Sequence, residues 1–140
     1  MKEIGPYLAF DGNCREAMTF YHGCLGGELN VQSFGDVGMG DKADSADRVM
    51  HAHLANGGVV LMASDTMPGT PHVEGTNVSL SLQCSSDEEV DRLYTVLDEG
   101  GNPTMPPSDT FWGARFGMLT DRFGMHWMLN HERPKTDTQV

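Results

Sequence analysis

The chain has 140 residues, which suits one compact domain or two small modules sharing a core, and a chain of this size buries roughly two-thirds of its unfolded surface without needing a disulfide or a structural metal. Its 39% hydrophobic content is ordinary for a globular protein. A formal net charge of -11, from 20 acidic against 9 basic residues, repels phosphate backbones and anionic lipid, so neither nucleic acid nor a membrane surface is expected as a partner.

Met1-Lys2-Glu3-Ile4-Gly5-Pro6 lacks the apolar run of a secretory signal, and no stretch reaches transmembrane length. Cys14, Cys24 and Cys84 are odd in number and show no CxxC spacing; reduced thiols and a cytoplasmic location are expected. Ten methionines are a stronger signal, because Met is an adaptable gap-filler favoured at binding surfaces.

In chain order, "PYLAF" reads as a short strand and "DGN" as a turn. Asn13 is placed to cap a helix, with Glu16 completing a capping box. Ala17, Phe20, Tyr21, Cys24 and Leu25 follow at helical spacing, and Gly26-Gly27 ends the helix. "LNVQSF" reads as a strand, and Asp36 to Ala46 as an acidic, Gly-rich loop. From Arg48 to Leu54 the residues alternate, with Met50, Ala52 and Leu54 on the core face. Asn56-Gly57-Gly58 signals a hairpin, and "VVLMAS" is its returning strand. Residues 66–76, "TMPGTPHVEGT", read as a linker.

The pattern then repeats. "NVSLSLQC" is a strand with Val78, Leu80 and Leu82 on its core face. Ser86 caps a second helix and Glu89 completes its box; Val90, Leu93, Tyr94 and Leu97 form the apolar face, and Gly100-Gly101 ends it. The two capping boxes lie 73 positions apart (86 − 13 and 89 − 16). The later hairpins correspond as well, Gly58 with Gly124 and Met62 with Met128, and Asp121 to Gly124 is the last hairpin turn. The fold class expected is α+β: two tandem βαβββ modules over 1–65 and 77–130, a linker over 66–76, and a frayed polar tail over 131–140.

Three stretches, "YLAFDGNCREAMTFY", "HAHLANGGVVLMASD" and "DTFWGARFGMLTDRFGMHWMLN", resemble the PhnB-like group of the vicinal oxygen chelate superfamily, which holds glyoxalase I, bleomycin-resistance proteins and extradiol dioxygenases. The resemblance implies that each module curls a mixed sheet around a shared cavity with its helix outside. It also implies homodimers, sometimes formed by exchange of modules across the linker. Metal-using members place one ligand on the first and one on the last strand of each module. Those positions fall here on Pro6, Met62, Ser79 and Met128, none of which is a good ligand for a hard or borderline divalent ion. The group has also carried a demethylubiquinone methyltransferase label, but no Gly-rich nucleotide loop follows a strand in this chain.

Strand alternation picks out candidate cavity residues. His51 and His53 face away from the core; Val60, Met62 and Ser64 do so on the next strand. Ser79, Ser81 and Gln83 follow in the second module, with His126, Met128 and Asn130 on its last strand. Arg115 is expected on the cavity side, able to pair with a carboxylate or phosphonate, or else in a surface salt bridge. Phe111 and Trp112 stack on a ligand or pack in a core or dimer contact. Cys14 reads as structural, and Tyr7, Tyr21 and Tyr94 as packing beneath the helices. His53 and His126 are the candidates for general base, because imidazole titrates near neutral pH.

Three functions stay open. One is a small-molecule-binding protein with no cofactor and no superfamily metal site. Another is a lyase, isomerase or dioxygenase of the glyoxalase type, holding one divalent ion on His51, His53 and His126. A third, a structural or interaction protein with a relic cavity, is the bland reading.

Overall fold

The computed structural model describes residues 1–38 and 46–134. Residues 39–45 of the expected loop and 135–140 of the expected tail lie outside the described residues. The chain divides into two compact units, Met1–Val73 and Glu74–Val140.

The first unit runs β1 (Tyr7–Phe10), α1 (Cys14–Leu25), β2 (Glu28–Ser33), β3 (Val49–Asn56) and β4 (Val59–Asp65). Its sheet has the order β1-β4-β3-β2, with β1 parallel to β4 and the other pairs antiparallel. The second unit repeats this build with β5 (Leu80–Gln83), α2 (Asp87–Leu97), β6 (Asn102–Asp109), β7 (Ala114–Thr120) and β8 (His126–Glu132). Its order, β5-β8-β7-β6, and its parallel and antiparallel pairings match strand for strand. The α+β reading with two βαβββ modules therefore holds.

Each helix lies on one face of its sheet because its apolar residues recur at helical spacing. In α1, Cys14, Ala17, Met18, Tyr21 and Cys24 are buried, and the helix packs on β2, β3 and β4. Leu8, Phe10, Ala52, Leu54, Leu61 and Ala63 supply the sheet side of that core. In α2, Val90, Leu93, Tyr94 and Leu97 are buried, facing Leu119, Trp127 and Leu129. Full burial of each larger side chain stabilises by about 1.5–3 kcal/mol. Gly117 makes room for Tyr94: a Cβ there would meet the ring at 3.1 Å. The Tyr94 hydroxyl thus reaches across β7 and donates to the Met118 carbonyl at 2.7 Å.

The turns follow the expected chemistry. Gly57-Gly58 alone joins β3 to β4, and Gly57 adopts φ +58, a region open to Gly without penalty. β6 carries Pro103, Pro106 and Pro107, which cannot donate to a ladder; it lies at the sheet edge, with irregular register.

Several local expectations are corrected. Asn13 makes no side-chain cap. The N–H groups of Gly12 and Cys14 donate instead to Asp65 Oδ1 at 2.8 and 3.0 Å. The second capping box does form: Ser86 Oγ accepts from Glu89 N, and Glu89 Oε1 accepts from Ser85 N. Val49, not Met50, joins Ala52 and Leu54 in the core. Gln32 pairs with His51 while Ser33 pairs with Val49, so Met50 is the extra residue of a β-bulge that resets the alternation. Val78 precedes β5 and is 71% exposed. β8 runs through His131 and Glu132, two residues past the boundary expected at Asn130.

Candidate functional site

In the first unit, the sheet face away from α1 is built from residues in register. Tyr7 pairs with Met62, Met62 with His53, and His53 with Asn30, forming one row across four strands. Ala9 pairs with Ser64 and Gln32 with His51 in the adjoining positions. His51, His53, Met62 and Ser64 are half-buried, while Asn30 and Gln32 are exposed. The Tyr7 hydroxyl lies 3.0 Å from His51 Nδ1 across the strand between them. Their rings are 5.7 Å apart and tilted by 31°.

Tyr7 was expected beneath the helix with Tyr21 and Tyr94. Those two are buried, but Tyr7 is 51% exposed and stands on the opposite face. The signal was present in "YLAF": with Leu8 and Phe10 in the core, alternation sends Tyr7 outward. Asn30 and Gln32 were also missed, although Leu29 and Val31 alternate with them in "LNVQS".

In the second unit the equivalent face differs in chemistry. Ser81 pairs with Met128, Met128 with Met118, and Met118 with Met105. Gln83 pairs with Asn130, Asn130 with Phe116, and Phe116 with Ser108. Where the first unit carries His51 and His53, the second carries Phe116 and Met118. Asn130 Nδ2 donates to Gln83 Oε1 at 3.0 Å, and Gln83 Nε2 donates to Ser81 Oγ at 2.9 Å, making a polar strip beside the Met and Phe side chains.

His126 has both ring nitrogens engaged within this unit. Nε2 lies 3.1 Å from the Gly75 carbonyl, which can only accept, so Nε2 carries the proton. Nδ1 is then the acceptor for the Thr120 hydroxyl at 2.9 Å. The imidazole links strands and the preceding segment, with no lone pair left for a metal ion or a substrate proton. His53, by contrast, makes no side-chain hydrogen bond among the described residues.

Arg115 stands on the helix side of β7 rather than on the face opposite. Its Nε donates to Asp91 of α2 at 2.8 Å and its Nη1 to Asp109 at 3.1 Å. Gly117 and Leu119, in alternation with it, pack on the same helix. The guanidinium is thereby committed to two carboxylates. Phe111, 97% exposed, and Trp112, 55% exposed, sit in the β6–β7 connection. They meet edge to face at 5.0 Å, and Trp112 approaches Phe116 at 6.5 Å.

Cys14 is fully buried, and burial, together with the neighbouring Asp65 carboxylate, pushes its thiol up to about 12. Cys84 is pushed up to about 11, mainly by burial. Neither is a poised nucleophile.

The superfamily's metal centre does not fit the donors present. Pro6 offers no side-chain donor, Met62 and Met128 offer thioethers, and Ser79 is an exposed residue ahead of β5. No group of three or more His, Cys, Asp or Glu that could hold a metal ion occurs among the described residues. No helix among them is long and apolar enough to cross a membrane.

Residues 3–129 match the family model of the Glyoxalase/Bleomycin resistance protein/Dioxygenase superfamily. The chain is 34% identical to Protein YjdN of Escherichia coli K12 over 139 residues, covering 91% of this chain and 93% of that one. Among solved structures it is similar to protein PA1353 of Pseudomonas aeruginosa, with a TM-score of 0.84 and 46% identity, covering 96% of this chain and 100% of that chain. It is also similar to the PhnB protein of Bacillus cereus, with a TM-score of 0.74 and 26% identity over 93% of this chain and 99% of that one.

Proposed function

The chain belongs to the glyoxalase/bleomycin resistance protein/dioxygenase superfamily, and within it we propose a small-molecule-binding protein that holds its ligand through its own side chains rather than through a four-ligand metal centre. One observation carries this reading. The first sheet's face away from α1 sets hydrogen-bonding side chains, with Tyr7 and His51 already joined, around Met62. Met62 is where a metal-using member would present a hard donor. A thioether there offers soft, adaptable contact to an organic group instead.

The test uses protein treated with chelator and labelled at the methionine methyl groups, titrated with a fragment library. Saturable shifts at Met62, without added metal, are expected. Binding that appears only after a divalent ion is added would overturn the reading, as would the absence of any saturable shift at Met62.

Self-association belongs to the same reading. Each sheet ends in strands paired on one side only, and Phe111 and Trp112 are exposed aromatics of the kind that interfaces cover. Light scattering is expected to find a dimer; a monodisperse monomer near 15.3 kDa would refute it.

A further inference from the structure

The side chains next to Tyr7 and His51 offer hydrogen bonds from uncharged groups, and the carboxylate on this face, Glu28, lies at the far end of β2. In a neutral imidazole one nitrogen donates and the other accepts. If the Tyr7 hydroxyl donates to His51 Nδ1 across their 3.0 Å contact, then Nε2–H points out as a donor and the phenolic oxygen keeps its acceptor lone pairs. If Nδ1–H donates instead, the phenolic O–H is the free donor and Nε2 the free acceptor. Either way the pair presents one donor and one acceptor, in opposite order in the two tautomers.

The neighbours repeat this character. Gln32 is the cross-strand partner of His51 and Asn30 that of His53, and each side chain is a carboxamide with both a donor and an acceptor. Ser64, two residues beyond Met62, has a hydroxyl that can do either. No Lys, Arg, Asp or Glu occupies these register positions; Glu28, on the same face of β2, pairs with Ala55 one step beyond Asn30. Met62, between Tyr7 and His53, supplies an apolar floor.

We propose that this face recognises a neutral group carrying a hydrogen-bond donor and acceptor side by side, a carboxamide, with the Tyr7–His51 pair as its anchor. A carboxylate would leave the acceptors facing its own lone pairs. An ammonium would meet N–H and O–H donors. A carboxamide satisfies both halves of the pair in either tautomer, and its organic substituent lies over Met62. The proposal rests on the small-molecule reading above and adds the chemical class of the ligand.

Three probes of matched shape test it: benzamide, benzoate and benzylamine, each titrated at neutral pH into protein labelled at the histidine side-chain nitrogens and the methionine methyls. Benzamide is expected to shift His51 and Met62 saturably, and to bind at least about tenfold more tightly than either charged probe. Tyr7→Phe keeps the ring at a half-exposed position and removes only the hydroxyl; it is expected to weaken benzamide by about tenfold. If benzoate or benzylamine binds there as tightly as benzamide, or if Tyr7→Phe leaves benzamide binding unchanged, the carboxamide inference fails while the small-molecule reading survives. If neither these probes nor any library fragment moves Met62 or His51, both fail.

Discussion

Asp65, the last residue of β4, accepts the backbone N–H of Cys14 at 3.0 Å and so caps α1 from 51 positions away. The same buried carboxylate also takes the N–H of Gly12 at 2.8 Å and, through its other oxygen, that of Val49 at 2.8 Å. One side chain thus joins the strand end, the helix start and the head of β3. In the second unit Asp121 does related work with different partners: it accepts the N–H of Phe123 and Met125 and the indole N–H of Trp127.

Removing these groups separates the two helix starts. Asp65→Ala strands the buried N–H groups of Cys14 and Val49 and frees that of the more exposed Gly12, and is expected to cost on the order of 3 kcal/mol. Asn13→Ala removes a side chain that makes no cap and should stay within about 0.5 kcal/mol of the parent. Ser86→Ala deletes a working cap and should cost about 1 kcal/mol. Urea unfolding of the three variants checks the order, and equal losses at Asn13 and Ser86 would contradict it.

The thiols should be silent in the folded protein. Cys14 and Cys84 are pushed up to about 12 and about 11, so both are protonated near pH 8, and Cys14 and Cys24 are buried. A colorimetric thiol reagent is expected to titrate well under one equivalent rapidly in buffer, and all three cysteines once denaturant is added. Rapid native modification of Cys14 would contradict the structure.

The second unit carries an ion network that sets its acid sensitivity. Arg133 binds Asp87 and Asp109, His131 adds to Asp87, and Arg115 adds to Asp109 and reaches Asp91. Hydrogen bonds from Arg133 are the main reason that both Asp87 and Asp109 are held below the usual 3.8. A carboxyl lowered in the folded state stabilises fully above its unfolded value, and that contribution disappears as pH falls through the folded value. Stability from this source is therefore flat near neutrality and declines below 3.8. Arg133→Gln should make the acid limb of a thermal-melt profile shallower, and an unchanged limb would count against the network. Arg115→Met should cost only roughly 0.2–1 kcal/mol, because its partners are solvent-exposed, and should leave fragment shifts at Met62 intact.

Metal content tests the histidine ligand set, His51, His53 and His126, directly. Protein purified without chelators is expected to hold well under one equivalent of zinc, nickel, iron or manganese by elemental analysis. A stoichiometric ion lost on His53→Ala would move the protein to the metal-dependent enzyme reading. The geometry opposing that outcome is specific: His126 spends Nε2 on Gly75 and Nδ1 on Thr120.

Much of the fold was legible because its signals are local. Helical spacing marked both helices to within a residue or two, Gly57-Gly58 marked the hairpin, and the offset repeat announced two modules of one build. Alternation sorted β4 and β8 correctly, placing Met62, Ser64, Met128 and Asn130 away from the helices, since side chains on a strand change face at every residue. It failed at Met50, where a bulge adds one residue and inverts the count; at Arg115 it holds, because regular register with β8 puts Arg115 on the face of Gly117 and Leu119, beside Asp91 of α2, and not on the cavity side expected for it.

What tertiary structure alone decided are the partners that lie far apart in the chain. Tyr7 meets His51 across 44 positions, and Asp65 displaces Asn13 as the cap of α1 across 51. No window of a few residues contains such a pair, because the strands that bring them together are ordered β1-β4-β3 rather than in sequence. Residue type announces that Tyr, His and Asp can make hydrogen bonds; sheet order and register determine with whom.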